Sequence, residues 1–363
     1  MKVICDRAAL AEALACVCRA ASSRSSVRVL AGVRVAADQK GLMLAATDLE
    51  MAISASAAAH VDEEGLAVAP ARTLLAVVQA LDGDEVELSA SEAALTICCG
   101  DSQYRLRTLS VEDFPNLPSL DGATRIALPY AVLAGTVARV LRAAATDLSR
   151  PVYTGVRIAI DGDVLLVTAT DGYRLASART ELAGEAEQLD VLVPARALGE
   201  VMRITRGAQV VDMAVTANVI RFGVPGFEIT ARTLDGRPPD HEHILAAPFA
   251  HRARLQRTNL LRAVDRAALL ADRGSAVELA FDDGELRVRA RSAELGDGDE
   301  RVTAEPGGPT LRVGFNARYL REGLDLVEGD EVWFELNDAI RPVVLRGPRE
   351  DFAYLMAPLR LPE

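Results

Sequence analysis

The amino-acid sequence predicts an α+β protein built of three similar domains, each with two helices and antiparallel sheets. Two observations carry this reading, and the first is a long-period repeat. GLMLAATDLEMAISAS at residues 41–56 returns as DVLLVTATDGYRLASA at residues 163–178, with Asp48 and Asp171 123 residues apart. VAPARTLLAVVQAL from Val68 is answered by LVPARALGEVMRI from Leu192, and YRLRTLSVEDFPN by FEITARTLDGRPPD. Pro70 and Pro194, then Pro115 and Pro239, therefore each differ by 124. Ordered echoes at one interval mark repeated units of about 120 residues, a usual domain size. A fainter third copy runs through GELRVRARSAELGDG from Gly284, TLRVGFNARYLREGLDL from Thr310 and FAYLMAPLRL from Phe352, without the ATD signature. The repeat divides the chain at 1–120, 121–246 and 247–363.

The second observation is that each unit is itself doubled, in the order strand, helix, three strands. In the first unit MKVICD reads as a strand and Asp6 as the cap of a following helix. That helix, RAALAEALACVCRAA, places Leu10, Leu14 and Val17 on one face at i, i+4, i+7 spacing. VRVLAGVRVAA, GLMLAATD and EMAISASA alternate or run apolar between Gly and Asp, as strands of antiparallel hairpins do. LAVAP, ARTLLAVVQAL, DEVELSA, ALTICCG and YRLRTL repeat the order. Extended over three units, the pattern predicts six helices.

Half of the 363 residues are apolar, enough for several cores, yet no apolar run is long enough to span a bilayer and no targeting pattern opens the chain. The cytoplasm is the expected compartment. Five cysteines, Cys5, Cys16, Cys18, Cys98 and Cys99, lie within helix and strand patterns without paired CxxC spacing, and read as buried thiols. The formal charge of −12 argues against a nucleic-acid partner until its distribution is considered. Acids gather in turn-like VDEEG, DGDEVE and GDGDE, whereas Arg139, Arg142, Arg150, Arg196, Arg203 and Arg206 fall in or beside helices. Arg252, Arg254, Arg257, Arg262, Arg266 and Arg273 fall in the third unit's first helix region, against Asp265 and Asp272. Helices sharing one orientation would present a positive face.

ATDGYRLA at residues 169–176, the PARTLL and VPARAL helix starts, the terminal APLRL and the triplication together resemble the bacterial β sliding clamp family, processivity subunits of DNA polymerase III. The resemblance covers essentially the whole chain. It implies the DNA-clamp fold, with each chain half of a head-to-tail ring. Twelve helices side by side at about 8–10 Å would leave a hole roughly 25 Å across, slightly wider than duplex DNA. Retention would then be topological and base-independent, with an acidic exterior keeping DNA to the hole.

Carried over by position, the resemblance implies DNA-facing roles for Arg24, Arg72, Arg150 and Arg196. It implies a dimer interface of Tyr104, Arg105, Leu106 and Arg107 against Leu269, Leu270, Glu294, Asp297, Asp299 and Glu300 of a second copy. The alternative for Leu269 and Leu270 is core packing in their helix. A pocket for short peptides from the polymerase, the clamp loader and repair proteins is implied at Arg150, Tyr153, Thr170, Gly172, Tyr173, Arg174, Leu175, Pro239, His243, Ile244, Leu355, Ala357, Pro358, Leu359, Arg360 and Leu361. Tyr173 stands where the family commonly has His, His243 where a basic side chain is frequent, and Ala357 where Met often occurs. Pro362 and Glu363 extend past the usual end. These departures bear on peptide preference and leave open a second-copy clamp with altered ligand binding, or a ring scaffold that does not act on DNA.

No catalysis and no cofactor are expected. Asp48 and Asp171 could suggest paired carboxylates for acid and base work, but their equivalence under the repeat points to a duplicated structural turn. His241, Glu242 and His243 lack further metal ligands at a recognisable spacing, and the acidic turns lack the full calcium-loop order.

Overall fold

The computed structural model of the chain describes all residues except 23–24, 240, 272–275, 283, 306–310 and 362–363. Arg24, Asp272, Arg273, Pro362 and Glu363 therefore lie outside the described residues. Strands and helices follow the doubled order in all three copies. The six helices at the repeat positions are Arg7–Val17, Ala71–Ala80, Tyr130–Ala138, Ala195–Ile204, Arg257–Ala268 and Ala317–Leu326. Among the described residues a seventh, of four residues, forms at Glu242–Leu245, where the repeat predicts no helix.

The first helix starts as its sequence dictates, with Asp6 accepting from the Ala9 N–H at 2.7 Å and with Leu10, Leu14 and Val17 fully buried. Asn316 caps the last helix in the same way, accepting from Arg318 and Tyr319. Pro70 and Pro194 lead into the helices at Ala71 and Ala195; each fixes its own φ near that of a helix start and needs no donor of its own.

The chain folds as two compact units that divide the second copy between them. In the unit of Met1–Leu133 and Arg196–Thr233, one eight-stranded sheet has the order Thr124–Pro129, Val210–Val215, Val219–Val224, Phe227–Arg232, Met51–Ala57, Gly41–Thr47, Gly32–Asp38, Gly65–Pro70. Its central seam joins copies, because Phe227–Arg232 of the second pairs antiparallel with Met51–Ala57 of the first, Ile229 opposite Ile53. A five-stranded sheet in the order Ala59–Glu63, Lys2–Asp6, Glu85–Ala90, Ala94–Cys99, Ser102–Arg107 completes this unit. The helices Arg7–Val17 and Ala71–Ala80 pack against each other there.

The unit of Ala134–Ala195 and Leu234–Glu363 repeats the plan. Its eight strands run Leu189–Pro194, Gly155–Asp161, Val164–Thr170, Arg174–Glu181, Phe352–Met356, Val343–Arg346, Glu331–Leu336, His251–Gln256. Here Arg174–Glu181 of the second copy pairs with Phe352–Met356 of the third, Ala176 opposite Tyr354. The four-stranded sheet is Gly296–Thr303, Glu285–Ser292, Ala276–Asp282, Leu311–Asn316. At each seam the apolar residues of both copies enter one core, so that Ile53, Ile229, Ala176 and Tyr354 are buried.

Two sequence expectations change. Arg252 and Arg254 sit on the strand His251–Gln256, not a helix, and are engaged: Arg252 with Glu335 and the Trp333 ring, Arg254 with Glu305 and Glu331. Alternation of charged and apolar residues in HRARLQ is the strand signal that the arginine count obscured. Only Cys5 and Cys99 are buried; Cys16, Cys18 and Cys98 are half-buried, and all five are free thiols. Burial pushes the Cys5 and Cys18 thiols up to about 11, which keeps them protonated and unreactive near neutral pH. Among the described residues, no helix is long and apolar enough to cross a membrane.

Candidate functional site

The two ATD segments form one turn, made twice. Thr170 Oγ1 donates to the Arg174 carbonyl (2.6 Å) and accepts from the Gly172 N–H (3.0 Å), while Asp171 Oδ1 accepts from the N–H groups of Tyr173 (2.9 Å) and Arg174 (3.0 Å). In the first copy Thr47 makes the same bonds to Met51 (2.9 Å) and Leu49 (3.0 Å), and Asp48 to Glu50 (3.1 Å) and Met51 (2.8 Å). Short polar side chains that satisfy their own backbone are what a tight turn requires. Each aspartate is thereby committed to structure. Gly172 (φ 90°) and Leu49 (φ 80°) take the left-handed position of the turn.

The free oxygen of each aspartate receives a guanidinium. Asp48 Oδ2 takes Arg196, whose other nitrogen reaches the Arg19 carbonyl at 3.5 Å. Asp171 Oδ2 takes Arg174 Nε at 3.0 Å, and Arg174 Nη2 donates to the Arg142 carbonyl at 2.6 Å. Arg174 Nη1 is paired with Glu322 and donates to the Tyr354 hydroxyl at 3.3 Å, while the guanidinium lies 4.3 Å from the Tyr319 ring centre. Arg174 is 4 % exposed, and burial pushes the Tyr354 phenol up to about 12.

Beside this turn a groove of about 680 Å³ crosses the outward face of Gly155–Asp161, Val164–Thr170 and Arg174–Glu181. The alternating residues Ala159, Val164, Leu166, Thr168, Thr170, Leu175 and Ser177 form its floor. Pro238, Pro239, His241, Glu242 and Leu245 wall it, with Arg157, Arg179 and Arg237 at its margin. Arg157 hydrogen-bonds Asp190 and holds that carboxyl below its ordinary range, helped by Arg237. Beneath one end lies an apolar cluster of Leu175, Val344, Ala353 and Leu355, packed by Ile244, Leu245 and Phe249.

Of the residues expected at a peptide pocket, Thr170, Leu175 and Pro239 line the groove, and Ile244 and Leu355 join the cluster under it. Arg150 stacks over Tyr153 at 4.1 Å, and a Cβ on Gly172 would stand 3.4 Å from Arg150 Nη1. Tyr173 is 61 % exposed, and its carbonyl accepts from the Ala357 N–H at 2.8 Å. His243 is exposed on the short helix. Arg174 faces the interior. Half-buried Pro358 follows Ala357; Leu359 and Leu361 pack on Gly314, the Leu359 N–H bonding its carbonyl at 2.8 Å, and Arg360 is exposed.

The residues expected at a chain–chain interface fall on two sheet edges. Tyr104, Arg105, Leu106 and Arg107 belong to the edge strand Ser102–Arg107, where all but half-buried Leu106 are exposed. Asp297, Asp299 and Glu300 belong to the edge strand Gly296–Thr303, preceded by exposed Glu294. Leu270 packs on this strand at Gly298, and Leu269 is 76 % exposed, which removes core packing as the account of it. Asp299 and Glu300 are held by Arg289 and Arg266. Of the DNA-facing candidates, Arg24 lies outside the described residues. Arg72 is exposed at the head of its helix, Arg196 is exposed but paired with Asp48, and Arg150 is exposed beside the groove.

Sequence reasoning passed over Arg318, which heads the helix Ala317–Leu326 as Arg72 and Arg196 head theirs; the alignment of FNAR with PAR carried that signal. It also passed over Glu322, four residues beyond Arg318 on that helix, and Leu166, Ser177 and Arg179, for which strand alternation was the only cue. Among the described residues, no group of three or more His, Cys, Asp or Glu could hold a metal ion.

Three copies of one doubled module, fused through continuous sheets and carrying open edge strands in the first and third copies, define a protein of the DNA-clamp class. Residues 1–118, 127–240 and 243–360 match, in order, the N-terminal, central and C-terminal domains of the DNA polymerase III beta subunit. The beta sliding clamp of Streptomyces coelicolor is 33 % identical over 99 % of this chain and 100 % of its own, and that of Synechococcus elongatus is 35 % identical over the same shares. The solved Caulobacter crescentus beta sliding clamp superposes with a TM-score of 0.95 at 30 % identity, covering 99 % of this chain and 100 % of that one. The chain belongs to the bacterial β sliding clamp family.

Proposed function

We propose that two copies of this chain close head to tail into a ring that encircles duplex DNA and tethers a DNA polymerase and other peptide-bearing replication and repair proteins. The observation that carries this reading is the pair of open edges of unlike character. The strand Ser102–Arg107 offers Tyr104, Arg105 and Arg107, and the strand Gly296–Thr303 offers Asp297, with exposed Leu269 at the end of the helix packed against it. Main-chain pairing of two edges with apolar and opposite-charge side chains on both sides is a stable way to join chains. Domains at 1–120, 121–246 and 247–363 fit the module order, and the cytoplasm is the compartment that fits DNA replication. Encirclement requires neither base contacts nor catalytic groups. Exposed arginines such as Arg72 and Arg150 supply a weak, salt-sensitive attraction to phosphate. The groove over Leu175 and Leu166 has the size and lining of a site for short apolar peptides.

Retention on DNA after loading tests the reading. The protein should stay on closed circular DNA at moderate salt and be lost within minutes once the circle is linearised. Equal retention on both forms, or a strict monomer in sedimentation at micromolar concentration, would overturn it.

A further inference from the structure

We infer that Glu322, on a helix outside the groove, is a positioning residue for the peptide site, acting through the buried guanidinium of Arg174. This deepens the reading of the groove as a peptide site and rests on it. The two copies of the ATD turn share one device. In both, a guanidinium bridges the free aspartate oxygen and a carbonyl at an equivalent position, Arg19 in one and Arg142 in the other.

The donor differs. In the first copy it is Arg196, from the head of the helix Ala195–Ile204, and the residue closing the turn is Met51. In the second copy the turn supplies the cation itself, because Arg174 stands where Met51 does. Arg318, the counterpart of Arg196, instead points outward to Glu322 and the Tyr319 ring.

The helix glutamate is likewise redirected. Glu200 grips Arg19 in the first copy, whereas its counterpart Glu322 grips Arg174. The consequence falls on the groove, since the turn that Arg174 closes also supplies Thr170 and Leu175 to the floor and the Tyr173 carbonyl that holds Ala357. Gly172 in the same turn abuts Arg150 and Tyr153. A buried cation with carboxylates on two sides has one low-energy placement, so Glu322 fixes Arg174 and Arg174 fixes the wall.

The test is a double-mutant cycle on the full-length protein with Glu322→Gln, Arg174→Met and both together; Arg174→Met copies the side chain that closes the turn in the first copy. A fluorescent clamp-binding peptide reports affinity, and hydrogen exchange reports the amides of Tyr173, Arg174 and Ala357. Glu322→Gln should weaken the peptide about 5–10-fold, and the double variant should bind no worse than Arg174→Met alone, because coupled residues do not add. Exchange at Ala357 should rise about tenfold in Glu322→Gln while Glu50 and Met51 in the other turn stay unchanged. Additive losses, unchanged affinity, or loosening of both turns alike would overturn the inference. A wild-type protein that bound no such peptide would remove the groove reading itself, and the exchange pattern alone would then decide whether Glu322 positions this wall.

Discussion

The seam between the first and second copies and the seam between the second and third are built from the same parts and differ in where the positive charge sits. At the first, Arg196 is 60 % exposed and reaches Asp48 from the surface; at the second, Arg174 is enclosed and meets Asp171, Glu322, Tyr354 and the Arg142 carbonyl together. An exposed ion pair is screened by water and contributes little, whereas a buried one is costly to leave half-made. One repeated junction thus serves as a solvated joint in one place and as the fixed wall of a groove in another. The flanking chain follows the same division. Phe114 folds onto Val29, Leu30 and Val68 at the outer edge of the first eight-stranded sheet, while Pro238, its match in the repeat, stands on the groove wall.

The largest effect should come from removing the enclosed charge. Arg174→Ala leaves Asp171 without its cation and Glu322 with only the exposed Arg318, and should cost about 3–5 kcal/mol in denaturant unfolding of the second unit. Gly172→Leu should cost about 1–2 kcal/mol, because a branched side chain is forced into the left-handed region beside Arg150. At the matching position, Leu49→Gly relieves similar strain but frees the unfolded chain, so its melting curve should shift by less than about 1 kcal/mol in either direction. Arg196→Ala should cost about 0–1 kcal/mol, and the difference should vanish in high salt. A larger loss from Arg196→Ala than from Arg174→Ala would invert the comparison.

Acid sharpens the contrast between the units. Hydrogen bonds from Arg139, Arg157 and Arg312 hold the carboxyls of Asp351, Asp190 and Glu278, all in the second unit, below the ordinary range. A depressed carboxyl stabilises the fold above its unfolded value of about 4 and loses that contribution as pH falls further. Exchange followed from pH 6 to pH 3 should therefore show the second unit losing protection of these strands as the carboxyls protonate.

Much of this was legible in the sequence. The repeat gave the order of strands and helices and the equivalence of the two ATD turns, because backbone satisfaction by Thr and Asp is local. The sheets that cross from copy to copy were not legible, since the pairing of Ile229 with Ile53 depends on contacts far apart in sequence and on no local signal. The groove was legible only in part. Thr170, Leu175 and Pro239 stand in the recurring motif, but Leu166 and Ser177 are ordinary strand residues until the sheet exists. Arg174 reads in sequence as a pocket cation, and only burial shows that it is a bolt within the wall.

The pairing of Phe227–Arg232 with Met51–Ala57 has a mechanical corollary. The first two copies are held by a ladder of main-chain bonds and a shared core, and the peptide running from Asn116 to Ala123 merely accompanies them. A protein clipped in that stretch should travel as one body until denatured, so the covalent thread is a convenience of synthesis and the fastening lies elsewhere.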